Sequence, residues 1–423
     1  NIHGYGGNAR TGMIAPQSLG ALSNIHRLLI QLVEDLPARD VNTRFHADLP
    51  GMGWLLGRSV YLELWWLREK ILGEDDLSRR VRHIFSGSLP QAVQMQQQLP
   101  PKEHLLNWAL EIQDEHLSRL ANPGQLPAHP WLKNGWLVDY MVQSHGRIYE
   151  QMLSVRHARA VKQGGAFEVR EPLQSRAPGA DSTEVSQGHY RIGAREGVMF
   201  DNEQPMQMVE MRNFRISDRP ADNAAWLAFM EDGGYAKEEY WSDEGRQWKQ
   251  TSNLSHPWHW RKDAAGHWYA LGLNGPMELL PDQPVSGISW YEAEAYANWA
   301  AQNIEGFGGA VLPHEYHWEA AARIGALKDG GRVWEWCGNP LHPYKDYEKP
   351  VDPEMCTQEF DGRHPALRGG CIHTQPALRR ISIRNAGLPG AGYLFSGVRL
   401  VFPPALQEEA LYIEQWQKFL DKR

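Results

Sequence analysis

Residues 284 to 300 read PVSGISWYEAEAYANWA and carry a clear structural signal in the second half of the chain. From residue 289 to residue 303 the apolar residues are spaced as in a helix, and a second helix is predicted at 315–325, EYHWEAAARIG. Long loops separate short runs that predict strands: YRIGA (190–194), VEMRNFRIS (209–217), ALRGGCI (366–372), RISIRN (380–385) and FSGVRLVF (395–402). Residues 189–403 are therefore predicted to form an α+β domain.

The part of the chain before this domain is predicted to be helical. Residues 17–162 contain four long stretches with helical spacing, which begin at SLGALSNIHRLL, GMGWLLGRSVYL, PPKEHLLNWALE and PWLKNGWLVDYM. Four long amphipathic helices joined by loops are typical of an antiparallel bundle. Residues 163–188 have the Gly, Ser and Pro content of a linker. We expect residues 1–16 to be a flexible lead-in and residues 404–423 to be a C-terminal helix or tail.

Composition excludes several classes of function. The 423 residues carry a formal net charge of -8 without a basic tract, so nucleic acid is not an expected partner. No apolar run is long enough for a membrane span. The three cysteines are too few and too irregularly spaced for a disulfide framework or a zinc site, which favours a cytoplasmic protein.

The motifs of the second half resemble a known domain. PVSGISWYEAEAYANWA, VLPHEYHWEAAAR, GRVWEWC, FDGRHPALRGGC and FSGVRL stand in the order found in formylglycine-generating-enzyme-like domains, which have a C-type-lectin fold. FDNEQPMQMVEMRNFRIS, FMEDGGYAKEEYWSDEG and HPWHWRKDAAGHWYALG narrow the resemblance to the sulfoxide synthases of ergothioneine and ovothiol biosynthesis and the related selenoneine synthases. The resemblance implies that a DinB-like four-helix bundle precedes the lectin-like domain.

The resemblance also implies a chemistry. In that family three histidines of the bundle hold a non-haem iron(II) ion, which activates dioxygen to join a thiol or selenol to the imidazole of a histidine derivative. Copper-dependent relatives use a cysteine pair near the RGG motif instead. This chain has only Cys371 in that segment, RGGCIHTQPALRRISIRN, so a copper site is not expected.

The family's iron-binding positions are altered in this chain. The W-H-L-G-H motif reads WLLGR, which puts Arg58 where the first iron histidine is expected. In the best register, the H-x-x-x-H-x-E motif of the last bundle helix becomes Ser144, Ile148 and Glu150. A guanidinium repels a divalent cation and isoleucine has no donor atom. We therefore expect no metal and no cofactor, and an ion pair between Arg58 and Glu150 in place of the iron.

A register shifted by one residue places His145 and Tyr149 on the two ligand positions but loses the glutamate. His145 and His157 are too far apart along one helix to share an ion. Near the substrate end of the second domain, the loop RNAGLPGAGYLFSGVRL keeps Tyr393 as a side chain that could stack on a ring or donate a proton, or that only packs. His145, Tyr149 and Tyr393 are thus possible pocket residues.

These observations leave three interpretations open. The favoured one is a homologue that lacks the iron ligands and binds a small molecule related to histidine, a thiol or a selenol, or a partner subunit or second copy, in the cleft between the domains. The second is an active oxidoreductase of the same class with a relocated metal or other chemistry. The third is an interaction module, since lectin-like folds present loops to partners and a fold alone does not determine function.

Overall fold

The structure is a computed structural model that describes residues 12–87, 99–357 and 360–403. The chain divides into two compact units, Asn1–Lys162 and Gln163–Arg423. No helix in these described ranges is long and apolar enough to cross a membrane. The predicted tail at 404–423 and most of the predicted lead-in lie outside the described residues.

The first unit consists of helices. They are α1 (Pro16–Glu34), α2 (Ala38–Val41), α3 (Met52–Glu63), α4 (Asp76–Phe85), α5 (Lys102–Ala121) and α6 (Trp136–Gln163). Short 3-10 turns at Pro123–Gln125 and Pro130–Gly135 lie between α5 and α6. Helix α3 continues directly into a π-helical segment, Leu64–Ile71. The four predicted long helices correspond to α1, α3 with its π-helical extension, α5 and α6.

Apolar stripes hold this unit together. Helix α1 packs against α3 and α5, and α3 packs against α5. Leu22 and Leu29 of α1 and Leu55 and Leu56 of α3 are completely buried. Removal of this apolar surface from water is the main stabilising contribution.

In the described residues of the second unit, twelve short strands combine with four α-helices. The strands are β1 (Ser182–Val185), β2 (Gly188–Ile192), β3 (Gln207–Met211), β4 (Phe214–Ser217), β5 (Trp260–Lys262), β6 (Trp268–Gly272), β7 (Gly275–Glu278), β8 (Trp334–Pro340), β9 (Pro365–Arg368), β10 (Asn385–Ala386), β11 (Ser396–Gly397) and β12 (Val401–Phe402). The helices are α7 (Asn223–Glu231), α8 (Asp243–Ser252), α9 (Trp290–Asn303) and α10 (Glu315–Arg323).

The strands form four small sheets, with strand orders β1-β4-β12, β10-β9-β8-β11, β2-β3 and β5-β6-β7. All pairs are antiparallel except β11 with β8. Helix α9 begins with a capping box, in which Ser289 Oγ accepts from the Glu292 amide at 3.2 Å and Glu292 Oε1 accepts from the Ser289 amide at 3.0 Å. The α+β class predicted for this half is confirmed.

Several details differ from the sequence-based expectations. Two further helices, α7 and α8, lie in stretches that were predicted to be loop; each begins at a side-chain cap, Asp222 and Ser242 respectively. Of the predicted strand RISIRN only Asn385 lies in a strand, β10, and part of the remaining backbone bonds to a buried arginine. Arg368 Nη1 donates to the Ile381 carbonyl at 3.0 Å.

The predicted linker at 163–188 is part of the second unit. Its last residues form β1, which pairs with β4. Earlier in the segment, the Val169 amide donates to Asp263 Oδ2 at 3.0 Å and Tyr269 Oη donates to the Gly165 carbonyl at 3.0 Å. The Gly, Ser and Pro content of this segment resembled that of a linker. Side chains from other elements hold the part of its backbone that precedes β1.

Candidate functional site

The positions of the predicted iron ligands lie on α3 and α6. Arg58 is half-buried; its Nη1 donates to the Phe85 carbonyl at 2.7 Å, and its guanidinium lies 6.0 Å from the centre of the Tyr61 ring. On α6, Ile148 is buried and Ser144 and Glu150 are half-buried. The ion pair between Arg58 and Glu150 stays a prediction.

A different set of side chains meets in the core of the helical unit. We call it the Glu63 cluster: Glu63, His26, His116 and His145. Glu63 Oε2 is 2.6 Å from His26 Nε2 and 2.6 Å from His145 Nε2, and Glu63 Oε1 is 3.0 Å from His116 Nδ1. Gln113 Nε2 also donates to Glu63 Oε2, at 3.2 Å. All four members of the cluster are buried.

The electrostatics of the cluster favour an ionised carboxylate. Burial by itself would raise the pKa of Glu63, but the charge of His26 and hydrogen bonds from all three histidines hold that pKa well below its ordinary value. Burial lowers the pKa of His145, and the hydrogen bond to Glu63 offsets only part of that effect. A negative charge is thus held in the core of the helices, surrounded by imidazoles.

The hydrogen bonding of the cluster is incomplete. His26 Nδ1, His116 Nε2 and His145 Nδ1 are buried and have no hydrogen-bond partner within the described part of the chain. A buried polar atom without a partner costs about 1–3 kcal/mol, so such atoms mark places where a water or an ion is expected. Each of these three atoms is the second nitrogen of a ring whose other nitrogen contacts Glu63.

Each member of the cluster comes from a different helix: α1, α3, α5 and α6. Each of the four side chains lies on the apolar face of its helix, which packs into the core. His26, for instance, lies beside the buried Ile25 and Leu29. Glu63 is the last residue of α3 before the π-helical segment. One turn earlier, Ser59 Oγ accepts a hydrogen bond from Gln113 Nε2 at 3.3 Å. The packing of the four helices thus directs all four side chains to one point.

Sequence reasoning found only His145 of this cluster. His26, Glu63 and His116 were missed because each lies on a separate helix and in no recognisable motif. A signal existed: a glutamate in the apolar run VYLELWW and a histidine in the apolar face SNIHRLLI are residues that are rarely buried without partners. Pairing these positions across helices, however, requires the tertiary structure.

The other predicted pocket residues are not brought together within one unit. Tyr149 is half-buried on α6 of the helical unit, whereas Tyr393 is buried in the second unit. The glycines of its loop are packing positions. A Cβ on Gly390 would lie 2.6 Å from Trp248 Nε1, and one on Gly392 would lie 3.1 Å from Trp258. The absence of side chains at these two positions leaves room for the tryptophans.

The second unit contains a cavity of about 590 Å³, the size of a small-molecule site. Its walls come from α8, α9, α10, β8 and β12 and the segments beside them. Aromatic and polar side chains line it, among them Trp241, Trp290, Glu294, Asn298, His314 and His317.

The imidazoles that line this cavity are neutral. Burial lowers the pKa of His317 to about 4 and that of His314 well below its ordinary value, so both imidazoles are uncharged near neutral pH. Burial also raises the pKa of Glu294. Trp290 Nε1 donates to the Cys337 carbonyl at 3.0 Å, which fixes the indole at the cavity wall. A cation beside Glu294 would offset the cost of burying this carboxylate.

Comparison with known proteins agrees with this architecture. Residues 167–330 match the family model of the sulfatase-modifying factor enzyme 1-like domain. The chain is 32% identical over 254 residues to a hercynine oxygenase of Mycobacterium tuberculosis, covering 49% of this chain and 57% of the relative. It is 30% identical over 285 residues to a hercynine oxygenase of Mycolicibacterium smegmatis, covering 55% and 64% respectively.

The chain is related to the hercynine oxygenases. A formylglycine-generating enzyme of Streptomyces coelicolor is also similar, at 30% identity over 200 residues, covering 44% of this chain and 57% of the relative. The predicted relationship to ergothioneine-pathway sulfoxide synthases with a formylglycine-generating-enzyme-like domain is confirmed. The chain spans less than two thirds of the length of each of these curated relatives.

In this relative of the hercynine oxygenases, the residues at the expected iron positions do not fit a three-histidine site. Arg58 carries a permanent positive charge and is engaged with a backbone carbonyl, and buried Ile148 has no donor atom. Ser144 could offer only a neutral hydroxyl. No chemical step is therefore derived through an iron ion at these positions.

Proposed function

We propose that this chain is a homologue of the ergothioneine-pathway sulfoxide synthases that binds no iron at the positions of Arg58, Ser144 and Ile148, and that it binds a small molecule related to histidine or to a thiol or selenol. The donor chemistry of those three side chains supports the first half of the proposal. Binding of a partner subunit or of a second copy is the competing interpretation, and the ligand experiment below separates the two.

The cavity of the second unit is the observation that carries the second half of the proposal. Trp241, Trp290 and Glu294 all line it. Indole rings beside a carboxylate are suited to a quaternary ammonium group, because a ring quadrupole and a negative charge both attract a cation that cannot donate hydrogen bonds. The neutral imidazoles of His314 and His317 add polar atoms that can contact an imidazole or a carboxylate. Histidine betaine carries all three groups: a quaternary ammonium, an imidazole and a carboxylate. It is the hercynine that appears in the name of the related oxygenases.

Binding can be tested by titrating the full chain with histidine betaine in a calorimeter and by thermal shift. A ligand that binds only the folded protein raises its midpoint temperature. We expect histidine betaine to bind more tightly than histidine, which lacks the methyl groups. Glu294→Gln should weaken binding at least about tenfold, equivalent to about 1.4 kcal/mol.

Glu305→Gln is the matched control, because Glu305 lies just after α9 but is exposed. Its dissociation constant for histidine betaine should equal that of the unmodified chain. Equal binding by Glu294→Gln, or no stabilisation by histidine betaine, histidine, cysteine or a selenol, contradicts ligand binding in this cavity.

An active oxygen-dependent oxidoreductase with a relocated metal is a second candidate function. One observation favours it: the Glu63 cluster offers two imidazoles and a carboxylate in the helical core. Dioxygen consumption by the metal-loaded full chain, measured with histidine betaine and a thiol, tests this candidate. Consumption that depends on both compounds and is lost in Glu63→Gln supports it, whereas a rate equal to that of the apoprotein rejects it.

A further inference from the structure

We propose that the Glu63 cluster binds one first-row divalent transition-metal ion, with His26, Glu63 and His145 as ligands and His116 as a positioning residue. The site lies wholly within the helical unit. Of its residues only His145 was expected from the family motifs, and only in the register shifted by one residue. The proposal does not depend on ligand binding in the cavity of the second unit, so the two can fail separately.

The geometry is close to that of a metal site. One donor atom from each of His26, Glu63 and His145 lies within 4.8 Å of the other two. Both histidine Nε2 atoms are 2.6 Å from the same carboxylate oxygen. Ligands at about 2.1 Å from an ion in octahedral geometry are about 3 Å apart, so the nitrogens need to move by only a few tenths of an ångström to admit it.

The donor set restricts the class of metal. Two imidazoles and one carboxylate form the combination that holds non-haem iron(II), and zinc and cobalt accept the same donors. Magnesium and calcium prefer sites made of oxygen atoms. The Glu63 carboxylate also supplies a negative charge in a buried place, which an ion would neutralise.

The surroundings hold the carboxylate in one orientation. His116 Nδ1 contacts Oε1 at 3.0 Å, and Gln113 Nε2 donates to Oε2 at 3.2 Å. Such outer contacts fix the direction of a metal-ligating group. The π-helical segment that begins directly after Glu63 is a second sign of a specialised site, because π-helical turns occur frequently at functional positions. Side chains from facing helices are also the usual means of building metal sites in helical bundles.

Metal binding can be measured on the untagged full chain. After removal of metal with a chelator, the protein is loaded anaerobically with iron(II), or with cobalt(II) as a spectroscopic substitute, and its metal content is determined. We expect about one ion per chain, together with a cobalt absorption band typical of nitrogen and oxygen ligands. X-ray absorption of the cobalt form should show at least two imidazole ligands.

Glu63→Gln and His145→Ala should each weaken cobalt binding at least about 100-fold, because each removes a direct ligand. His116→Gln should retain about one ion and the cobalt band but weaken affinity about 10–100-fold, as expected for a residue that only orients Glu63. The control is His104→Ala, which removes an exposed histidine from the same helix as His116 and should bind like the unmodified chain.

Two outcomes overturn the proposal: less than about 0.1 ion per chain after loading, or an affinity that is unchanged in both Glu63→Gln and His145→Ala. Either result makes the cluster a metal-free, proton-sharing network. If a variant fails to fold, the X-ray absorption spectrum of the unmodified chain still decides, since a cobalt shell without imidazoles excludes this site.

Discussion

At the scale of single residues, two buried glutamates have pKa values shifted in opposite directions because their neighbours differ. Imidazoles surround Glu63 and keep its pKa well below the ordinary value. The Glu292 carboxylate instead accepts hydrogen bonds from the Tyr235 hydroxyl and the Ser289 amide, both uncharged donors, in a part of the second unit rich in aromatic rings. Burial therefore dominates and raises the pKa of Glu292 to about 7.

The raised pKa of Glu292 predicts a pH dependence of stability. The folded chain keeps its proton between about pH 4.5 and 7, whereas the unfolded chain loses it, so the free energy of unfolding falls as pH rises through this window. The decrease is at most about 3–4 kcal/mol, at about 1.4 kcal/mol per pH unit. Glu292→Gln removes this contribution, and urea denaturation at a series of pH values measures it.

The quantity to compare is the difference in unfolding free energy between Glu292→Gln and the unmodified chain. As the pH rises from about 4.5 to about 7.5, Glu292→Gln should become more stable relative to the unmodified chain. Glu305→Gln serves as the exposed control and should show no such trend. A difference that stays constant with pH contradicts the assignment to Glu292.

At the scale of elements, the contact between α3 and α4 depends on a glycine. Phe85, at the end of α4, lies against Gly57, and a Cβ on Gly57 would be 2.2 Å from the Phe85 ring. Phe85 also stacks on Trp108 of α5, with ring centres 5.8 Å apart. The ring thus has little room to retreat.

Gly57→Ala should therefore destabilise the helical unit by about 1–3 kcal/mol, despite the better helix propensity of alanine. Gly20→Ala is the matched control, because Gly20 lies in α1 with open space around it. There alanine should stabilise by about 0.5–1 kcal/mol. Chemical denaturation followed by circular dichroism at the helix band measures both; stabilisation by Gly57→Ala contradicts the close contact.

At the scale of the whole molecule, the second unit is organised around buried ion pairs. Glu315 accepts from Arg384 Nε at 2.8 Å and from Arg368 Nε at 3.1 Å, and Arg399 Nε donates to Glu335 at 2.6 Å. These side chains are fully buried. They join helix α10 and strands β8 and β9 to the segments just before β10 and β12.

Glu315→Gln should destabilise the second unit by about 3–5 kcal/mol, because it leaves two buried guanidinium groups short of one negative charge. Asp282→Asn is the comparison, since it removes one carboxylate from the exposed contact with Arg176 and should leave stability unchanged. Urea denaturation followed by tryptophan fluorescence, which reports mainly on the second unit, distinguishes them. Equal stability of the two variants contradicts a structural role for the ion pairs.

The sequence alone was sufficient for the overall organisation. Helical spacing located the four long helices, and the motifs around residues 284–300 and 360–371 predicted the formylglycine-generating-enzyme-like domain. These features are local, because periodicity and turn residues are encoded within a few neighbours. Local composition also led to the prediction of a linker at residues 163–188. It could not show that side chains distant in the sequence bind this backbone.

The candidate metal centre was decided by tertiary structure alone. His26, Glu63, His116 and His145 are separated by 37, 53 and 82 residues when counted from Glu63, so no motif connects them. The motif resemblance predicted Arg58, Ser144 and Ile148 as the iron positions instead, and that assignment stays a prediction. Sequence specifies which residues each helix turns inward. Only the packing of helix against helix determines which of those residues meet.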